Sequence, residues 1–443
     1  MSTPLFDAVT AHEKKKMTSM HMPAHKGVFA ALGAAGELDI TEIPDTGSLF
    51  DGEGATALAE KEAAELFETS ASFMSAGGCT LCIQAMLRVA APNGGKIVCG
   101  RVVHRSAINA MSLLGIEPVW VLPDKSAGEL FSGRITAEAV RAALEANPDA
   151  KGVYITSPDY FGVIGDVRGI AKAARDFGVP LLVDCAHGAH LKFLENDMSP
   201  LKMGATMSAE SAHKTLPVLT GGAWLQVGDE RLVPEVRAAM ALFGSTSPSY
   251  PIMISLDLAR DWAKQNRNEF LRLAQRAEKT KTLCRSLGLT LPEGECDPTR
   301  IAFDVQHFGF DGEDVGKLLR KGGIEPEYAG LGKVILIPSV MNTDEDFDCL
   351  DSVLGDIFAD AKCSSARPVG VNASLPKKAM SAREAILSEF EYVSVDNAVG
   401  RVAAEPYCPC PPAIPAAMPG EVLGEREVLE LRRYGILKIK VVK

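Results

Sequence analysis

The 443-residue sequence lacks an apolar run of the roughly 20 residues that a membrane-spanning helix needs. It also lacks the apolar core of a secretion signal, since the opening MSTPLFDAVTAHEKKKMTS has lysines with no apolar stretch behind them. From these two absences we expect a cytoplasmic protein. No internal repeat or low-complexity tract stands out, which favours an ordinary globular chain.

An excess of positive charge is missing as well. The chain has 46 Lys and Arg against 57 Asp and Glu, for a formal net charge of -11. An acidic surface repels phosphate backbones, so we expect no nucleic-acid partner. With 47% hydrophobic and 23% charged residues, the sequence has the balance of a globular protein with two or three domains.

A disulfide framework is not indicated either, because the ten cysteines are scattered through the chain. Two close pairs, Cys79 with Cys82 and Cys408 with Cys410, could supply four thiolates to zinc. A four-thiolate site normally uses two similar knuckles, whereas the first pair lies in a glycine-rich turn before an apolar helix. We therefore expect buried or adventitious thiols and no metal.

Short runs rich in β-branched residues alternate with helical patterns between about residues 70 and 230. Such runs are typical of strands buried on both faces of a sheet. They are KIVCG (96–100), PVWVL (118–122), GVYITS (152–157) and PLLVDCA (180–186). The pattern predicts an α/β fold with a mainly parallel sheet covered by helices on both sides. Functional residues are expected at the carboxyl ends of its strands.

The composition changes after about residue 265, where charged helices precede a second αβ region and a polar connector. We predict four parts: an N-terminal segment (1–50) that contributes to the active site, a large domain (51–265), a smaller α/β domain (266–362), and a connector with a C-terminal extension (363–443). The large domain contains the motifs that carry chemistry.

Two of these motifs suggest a covalent cofactor site. Asp184 ends the apolar strand PLLVD. Burying a carboxylate there is energetically unfavourable unless it pairs with a cation, and a pyridinium nitrogen could be that cation. Lys214 lies in SAESAHKTLPVLTGG, among small and hydroxyl residues. A lysine in a dry pocket loses its proton easily and forms an imine with an aldehyde. An isolated lysine at a strand edge more often packs its aliphatic part on the protein and extends its amine to solvent. The presence of Asp184 favours the imine interpretation over this one.

A phosphate-binding turn is also indicated. FMSAGGCTLCIQAML runs from a strand-like segment into a helix, so the amides of Gly78, Cys79 and Thr80 can face an anion. Ser211 and His213 lie close enough to Lys214 to bind the same phosphate. Glycine pairs also precede helices where no anion binds. A histidine that follows a strand, His104, is either structural or placed to stack on an aromatic ring.

These motifs occur, in order, within a larger set that covers nearly the whole chain. The set comprises HMPAHKG (21–27), DITEIP, SAGGCT, HRSAINA, TSPDYFGV, VDCAHGAH, SAHKTL, STSPSY, VGRVAAE and CPPAIPAAMPGE. The chain resembles the bacterial ornithine/lysine/arginine decarboxylase family, which uses pyridoxal 5'-phosphate (PLP) on the aspartate aminotransferase fold (fold type I). The lysine of HKTL behind a VD-x-AHGAH strand is a specific combination.

The resemblance implies a role for each matching residue around PLP. It implies that Lys214 holds PLP covalently, that Asp184 pairs with the ring nitrogen and that His104 stacks on the ring. His187 would lie beside the ring, near its phenolic oxygen or the substrate carboxylate. The resemblance further assigns to PLP binding a set of surrounding residues: Gly78, Cys79, Thr80, Ala186, Ser211, His213 and Thr246. It implies a homodimer or larger assembly with the active site at the subunit interface, where STSPSY (245–250) would serve the neighbouring subunit.

The sequence departs from the family pattern mainly near the substrate. IPDTGSLFDGEG lacks the acidic or amide pair and the histidine that relatives commonly have at the places of Gly47, Ser48 and Phe50. Smaller departures lie at Ala24, Cys185, Cys410 and Ala413. The resemblance therefore implies an intact cofactor site with an altered substrate site.

The expected activity is removal of the α-carboxylate of a basic amino acid. Candidates for pairing with the substrate's cationic side chain are Asp45, Glu325 and Glu327, although each is also explained as a solvated surface acid. Arg300 would grip an α-carboxylate in an aminotransferase. Transamination, side-chain elimination and a catalytically inactive PLP-binding regulator remain alternatives at this point.

Overall fold

A computed structural model of the chain describes residues 2–28, 30–362, 364, 368–371, 373–411 and 413–443. The chain divides into two compact units. The first unit comprises Met1–Val89 and Asp184–Leu271, and the second comprises Ala90–Val183 and Arg272–Lys443. Within the described residues, we find no helix that combines the length and apolar character needed to cross a membrane.

Seven strands form one mostly parallel sheet, and five more form two small sheets. The strands are β1 (Ala71–Ser75), β2 (Gly95–Gly100), β3 (Ile116–Val121), β4 (Val153–Thr156), β5 (Leu181–Asp184), β6 (Met207–Glu210), β7 (Ala223–Val227), β8 (Ile301–Asp304), β9 (Tyr328–Gly330), β10 (Lys333–Leu336), β11 (Phe390–Ser394) and β12 (Lys438–Val442). The large sheet has the order β1-β7-β6-β5-β4-β2-β3. In it β7 is antiparallel to β1 and β6, whereas β2 is parallel to β3 and β4.

The described residues form fifteen α-helices, which alternate one by one with the strands from β1 to β5. They are α1 (Pro4–Lys14), α2 (Ala34–Leu38), α3 (Gly54–Phe67), α4 (Gly78–Ala90), α5 (Arg105–Leu114), α6 (Ala137–Ala146), α7 (Val167–Asp176), α8 (Ala212–Thr215), α9 (Val233–Phe243), α10 (Tyr250–Gln265), α11 (Arg267–Ser286), α12 (Gly312–Lys321), α13 (Asp344–Phe358), α14 (Ala382–Leu387) and α15 (Glu425–Arg433). Short 3₁₀ turns also occur, among them Ala189–Phe193.

The burial of the central strands explains why their sequences lack polar alternation. Every residue of β5 and of β6 is buried, so both faces of these strands are covered. Helix α7 shows the matching pattern, because it buries one apolar stripe and begins where the Asp166 side chain accepts a hydrogen bond from the Gly169 amide. The predicted α/β fold with a mainly parallel sheet is confirmed.

The remaining strands build the smaller α+β part of the chain. Strands β8, β10 and β9 form an antiparallel sheet, and β11 pairs with β12. The C-terminal residues have a hydrophobic cluster of their own, which includes Val395, Leu423, Leu431 and Val441. The predicted four-part division stays a prediction, and its last boundary, at residue 363, lies outside the described residues.

Candidate active site

The candidate site lies at one edge of the large sheet. Strands β1 and β6 are both antiparallel to β7, so they run in the same direction and their carboxyl ends share an edge. Residue Asp184 ends β5, and the amide of the next residue, Cys185, donates to the Ala209 carbonyl of β6 at 2.9 Å. The segments that follow β1, β5 and β6 contain most of the predicted cofactor residues, as expected for ligand sites in such sheets.

Lys214 lies on α8, a single helical turn directly after β6. Its amide donates to the Ser211 carbonyl at 3.1 Å, which fixes the turn. The side chain is half-buried, and its Nζ lies 3.2 Å from Nε2 of His187. A lysine amine and an imidazole at this distance can exchange a proton directly, so the pair can act both as nucleophile and as acid or base.

Asp184 and His187 belong to the tight turn that leaves β5. The Asp184 side chain is 1% exposed, and its Oδ1 accepts a hydrogen bond from the Ala186 amide at 3.2 Å. His187 is also buried. Because this turn carries both residues, the position of the Asp184 carboxylate is tied to the position of the imidazole beside Lys214.

The predicted phosphate turn joins β1 to α4. Gly78 has φ +68°, and its amide donates to the Gly221 carbonyl at 2.8 Å, while the Gly77 amide donates to Ser75 Oγ at 3.2 Å. The amides of the next residues, Cys79 and Thr80, lie in the first turn of α4, where amides have no carbonyl partner within the helix. These two amides, at the positive end of a 13-residue helix, are therefore the ones suited to an anion.

The Cys79 thiol shows that these segments converge. Burial raises its pKa well above the usual value, and the neighbouring Cys82 and Asp184 raise it further. A hydrogen bond with Ser211 and the charge of Lys214 act in the opposite direction. The first turn of α4, the end of β5 and the turn with Lys214 thus surround the same small volume.

His213 stands beside Lys214 in a form suited to donate a hydrogen bond. Its amide donates to the Gly222 carbonyl at 3.2 Å. Burial lowers the pKa of its imidazole, and the charge of Lys214 lowers it further. The ring is therefore neutral at neutral pH and has one N–H to offer an anion. Ser211, which is 3% exposed, lies two residues before it.

These residues fit PLP. A buried carboxylate, a lysine amine and two helix-terminal amides are the groups needed for a pyridine nitrogen, an aldehyde and a phosphate. A metal centre is not suggested by the geometry: within the parts of the chain that the structure describes, no three His, Cys, Asp or Glu side chains cluster as ligands. The nine cysteines described there are all free.

The other predicted cofactor residues are surface residues of the chain. His104 is exposed in the second unit and caps α5, since its Nδ1 accepts from the Ser106 amide at 3.3 Å and faces Ser106 Oγ at 2.8 Å. Thr246 is exposed in the first unit. An exposed position is what a residue needs if it serves a neighbouring subunit.

The acidic substrate candidates already have partners within the chain. Asp45 is bonded to Lys15 at 2.6 Å and to His12 at 2.9 Å, and the bonds lower its pKa. Glu325 pairs with Arg320 at 2.8 Å, and Glu327 accepts a hydrogen bond from Tyr160 at 2.6 Å. Each would have to exchange or share a partner to bind a substrate cation.

Arg300, the candidate for an aminotransferase carboxylate site, is 3% exposed in the second unit. Burial lowers its pKa, while the nearby carboxyl groups of Asp297, Asp159 and Glu327 act in the opposite direction. Its guanidinium thus lies near acidic groups of the same unit, and its role as a carboxylate-binding arginine stays a prediction.

The altered loop forms one wall of a cavity of about 250 Å³ in the first unit. Phe50 packs against Gly244, where an added Cβ would meet the ring at 2.4 Å, and the Gly47 carbonyl accepts from Tyr250 Oη at 2.7 Å. The cavity is lined by Leu49, Phe50, Ala76, Gly77, Thr80, Leu81, Gln84, Phe243, Gly244, Ser245, Ser247, Pro248 and Ser249, a set without a charged side chain. The loop and the phosphate turn therefore line the same uncharged cavity.

The sequence interpretation missed two kinds of residue. It assigned no role to Gly221 and Gly222, whose carbonyls hold the amides of Gly78 and His213. The glycine pair that ends SAESAHKTLPVLTGG was the available signal. It also missed Glu210, a fully buried acid directly before Ser211, for which the sequence gave no signal.

Glu210 belongs to a polar network on the buried face of β6. Its Oε1 accepts from Ser208 Oγ at 2.9 Å and its Oε2 from Gln226 Nε2 at 3.5 Å. Gln226 in turn bonds Ser72 of β1. Burial raises the pKa of Glu210 to about 8, so the carboxyl group keeps its proton at neutral pH.

This pKa predicts a pH-dependent stability. The unfolded chain ionises Glu210 near its ordinary pKa of 4.5 and the folded chain only near 8, so stability from this group is complete below pH 4.5 and lost as pH rises to 8. Glu210→Gln cannot ionise. We therefore expect the urea midpoint of the variant to exceed that of the unmodified protein by more at pH 8 than at pH 5. The change corresponds to roughly 3 kcal/mol in the free energy of unfolding.

The control is Glu389→Gln, the same change at a side chain that is 86% exposed. Its midpoint should follow that of the unmodified protein at both pH values. If the difference between Glu210→Gln and the unmodified protein is independent of pH, Glu210 is ionised in the folded state and the burial argument is wrong.

Comparison with known proteins identifies relatives over the whole chain. The model of the family described as Orn/Lys/Arg decarboxylase, major domain, matches residues 3–297, and that of the C-terminal domain matches residues 367–434. The arginine decarboxylase of Halalkalibacterium halodurans is 32% identical over 456 residues, which cover 97% of this chain and 93% of that protein. The arginine decarboxylase of Bacillus anthracis is 30% identical, with 97% and 92% covered.

Solved structures agree in fold. The lysine decarboxylase of Francisella novicida superposes with a TM-score of 0.82 at 19% identity, over 100% of this chain and 81% of that one. The constitutive lysine decarboxylase of Escherichia coli gives a TM-score of 0.79 at 20% identity, over 100% and 82%. At these identities the likeness shows a shared fold.

Proposed function

The chain belongs to the Orn/Lys/Arg decarboxylase family of PLP-dependent enzymes, and from this membership we propose that it removes the α-carboxylate of a basic amino acid, with arginine as the first candidate. The observation that carries the proposal is the 3.2 Å contact between Lys214 Nζ and His187 Nε2, beside the buried Asp184. Arginine is favoured because the relatives from Halalkalibacterium halodurans and Bacillus anthracis, at 32% and 30% identity, are named arginine decarboxylases.

The residues of the site then have distinct tasks, and Lys214 has two of them. PLP, when bound, supplies the sink for the electron pair that carbon dioxide leaves behind. Lys214 would hold PLP through its side-chain amine, which can condense with an aldehyde with loss of water. Asp184 would keep the ring nitrogen protonated, since a buried carboxylate stabilises a cation opposite it.

The surrounding residues hold the phosphate and move the proton. The amides of Cys79 and Thr80, the Ser211 hydroxyl and the neutral His213 ring bind the phosphate. His187 and Lys214 share a proton, and either can deliver it to the substrate α-carbon after carbon dioxide has left. By the family resemblance, His104 would cover the ring face.

The proposal includes a homodimer in the cytoplasm. Thr246 and its neighbours Ser245 and Ser247 are exposed, so they can reach a second subunit. Sedimentation of the PLP-loaded protein at micromolar concentration measures the assembly state directly. A monomer that is active would remove the shared-site part of the proposal and leave the chemistry.

A substrate panel tests the function. The PLP-loaded protein is mixed with each common amino acid, and carbon dioxide and the amine product are measured. We expect carbon dioxide and agmatine from arginine, with lysine and ornithine slower. The decarboxylase proposal fails if an amino acid yields its oxo acid without carbon dioxide, since that is transamination. Absence of turnover with every amino acid would favour a PLP-binding regulator.

A further inference from the structure

The segment that carries His104 is held by residues far along the chain. Arg101, Val102 and Val103 connect the end of β2 to His104, which caps α5. Three C-terminal residues bond to this connector, and we call them the C-terminal clasp: Cys408, Ala413 and Glu421. Connector and clasp all belong to the second unit.

The strongest contact of the clasp is a buried ion pair. The two terminal nitrogens of Arg101 donate to the two carboxylate oxygens of Glu421 at 2.7 Å and 2.8 Å. Arg101 is fully buried and its guanidinium lies 5.0 Å from the centre of the Trp120 ring. A planar, two-bond pair of this kind fixes direction as well as distance.

Glu421 is itself rigidly held. Its Oε2 accepts a hydrogen bond from the Met418 amide at 2.8 Å, and its backbone carbonyl accepts from the Ala403 amide at 2.9 Å. The side chain that receives Arg101 therefore has little freedom, and the ion pair transmits the position of the C-terminal residues to the connector.

The other two clasp contacts hold the residue directly before His104. The Val103 amide donates to the Ala413 carbonyl at 2.8 Å, and the Val103 carbonyl accepts from Cys408 Sγ at 3.0 Å. Burial raises the pKa of the Cys408 thiol, so it is protonated and can donate. Both backbone groups of Val103 are thus bonded to the clasp, which leaves the peptide that enters His104 in one orientation.

The His104 ring is oriented by its own helix. Its Nδ1 accepts the Ser106 amide and faces the Ser106 hydroxyl, so the ring proton lies on Nε2. The ring stays exposed. The backbone of His104 is therefore set by the clasp and its ring by Ser106.

We propose that Glu421 is a positioning residue that sets the place of His104 through Arg101 and the 101–104 connector. The proposal rests on the function proposed above, in which His104 covers the ring of PLP. On this proposal the C-terminal extension helps to position a residue of the cofactor site, although Glu421 lies 320 residues from Arg101 along the chain.

A double-mutant cycle tests this inference. Glu421→Gln, His104→Ala and the double variant are compared in kcat/KM for the substrate found in the panel. We expect Glu421→Gln to lower kcat/KM at least tenfold when His104 is present and less than twofold when it is alanine, because a residue that acts through His104 has no effect without it. Equal losses in both backgrounds would overturn the proposal.

A spectroscopic readout accompanies the kinetics. PLP is achiral, so the circular dichroism of its visible band comes from its surroundings. Glu421→Gln should change that band in the same direction as His104→Ala. The matched control is Glu427→Gln, a buried glutamate of the same extension that bonds the Gly424 amide at 3.0 Å and does not touch the connector. It should leave band and kcat/KM unchanged.

Glu421→Gln leaves Arg101 without its full counter-charge and can fail to fold. In that event Cys408→Ala replaces it in the cycle, because it removes only the donor to Val103 and no charge. A loss of at least threefold that disappears in the His104→Ala background supports the proposal, and a loss that persists there overturns it.

The two proposals fail in different ways. Unmodified protein that releases no carbon dioxide from any amino acid contradicts the proposed function. Suppose instead that the unmodified protein is active and that His104→Ala impairs it. If the effects of Glu421→Gln and His104→Ala are then additive, only the clasp inference is contradicted.

Discussion

Lys214→Ala should lower kcat for carbon dioxide release on the order of 10⁴-fold or more, which is the largest effect expected of any single substitution. The variant loses the amine that bonds to PLP and one partner of the proton pair with His187, which lies 3.2 Å away. Borohydride reduction followed by peptide mass spectrometry should find PLP on the Lys214 peptide of the unmodified protein and on no peptide of the variant.

The control for this experiment is Lys202→Ala, a lysine of the same unit whose side chain is 57% exposed. We expect it to keep PLP labelling and kcat within twofold. A label that stays on the protein after Lys214→Ala would move the covalent site to another lysine and contradict the assignment.

The sheet could be predicted because its strands carry their own signal. The runs at 96–100 and 118–122 fall within or within one residue of β2 and β3, since strands buried on both faces must be apolar throughout. The apolar stripe of α7 is a local feature of the same kind, because all of its residues lie within ten consecutive positions. Local chemistry of this kind does not depend on the rest of the fold.

The candidate site was predictable where one short segment contains both the residue and its reason. Lys214 stands out by its neighbours, and Asp184 by its place at the end of an apolar strand. The resemblance added His187, and the structure places its Nε2 beside Lys214 Nζ. The roles of these residues around PLP remain predictions.

Contacts between distant segments could not be predicted from the sequence. Nothing near Gly221 indicates that its carbonyl holds the amide of Gly78, and nothing near Arg101 indicates a partner at Glu421. Such pairs depend on how the chain returns to itself, which one sequence without aligned relatives does not encode in a readable form. The burial of Glu210 could not be predicted either, because it depends on the register in which β6 pairs with β7.

The second large effect concerns the charge opposite the PLP ring. Asp184→Asn should lower kcat roughly 100- to 1000-fold, because a neutral amide no longer favours the protonated ring nitrogen that withdraws electrons from the substrate. The fold should survive for two reasons. The Asn side-chain carbonyl can still accept the hydrogen bond that the Ala186 amide donates to Asp184 Oδ1 at 3.2 Å. The change also removes a charge from a residue that is only 1% exposed, where a charge is unfavourable.

Reconstitution with N-methylated PLP separates this electronic role from a structural one. The methylated ring nitrogen is positive whatever lies opposite it, so kcat of Asp184→Asn should recover at least tenfold with this analogue relative to PLP, whereas the unmodified protein should gain nothing. Asp229→Asn, which removes a surface partner of Arg231 at 2.7 Å, serves as the control and should keep full activity with PLP. If Asp184→Asn retains more than half of kcat with PLP, the carboxylate has no electronic role, and its burial beside Lys214 must be explained by packing alone.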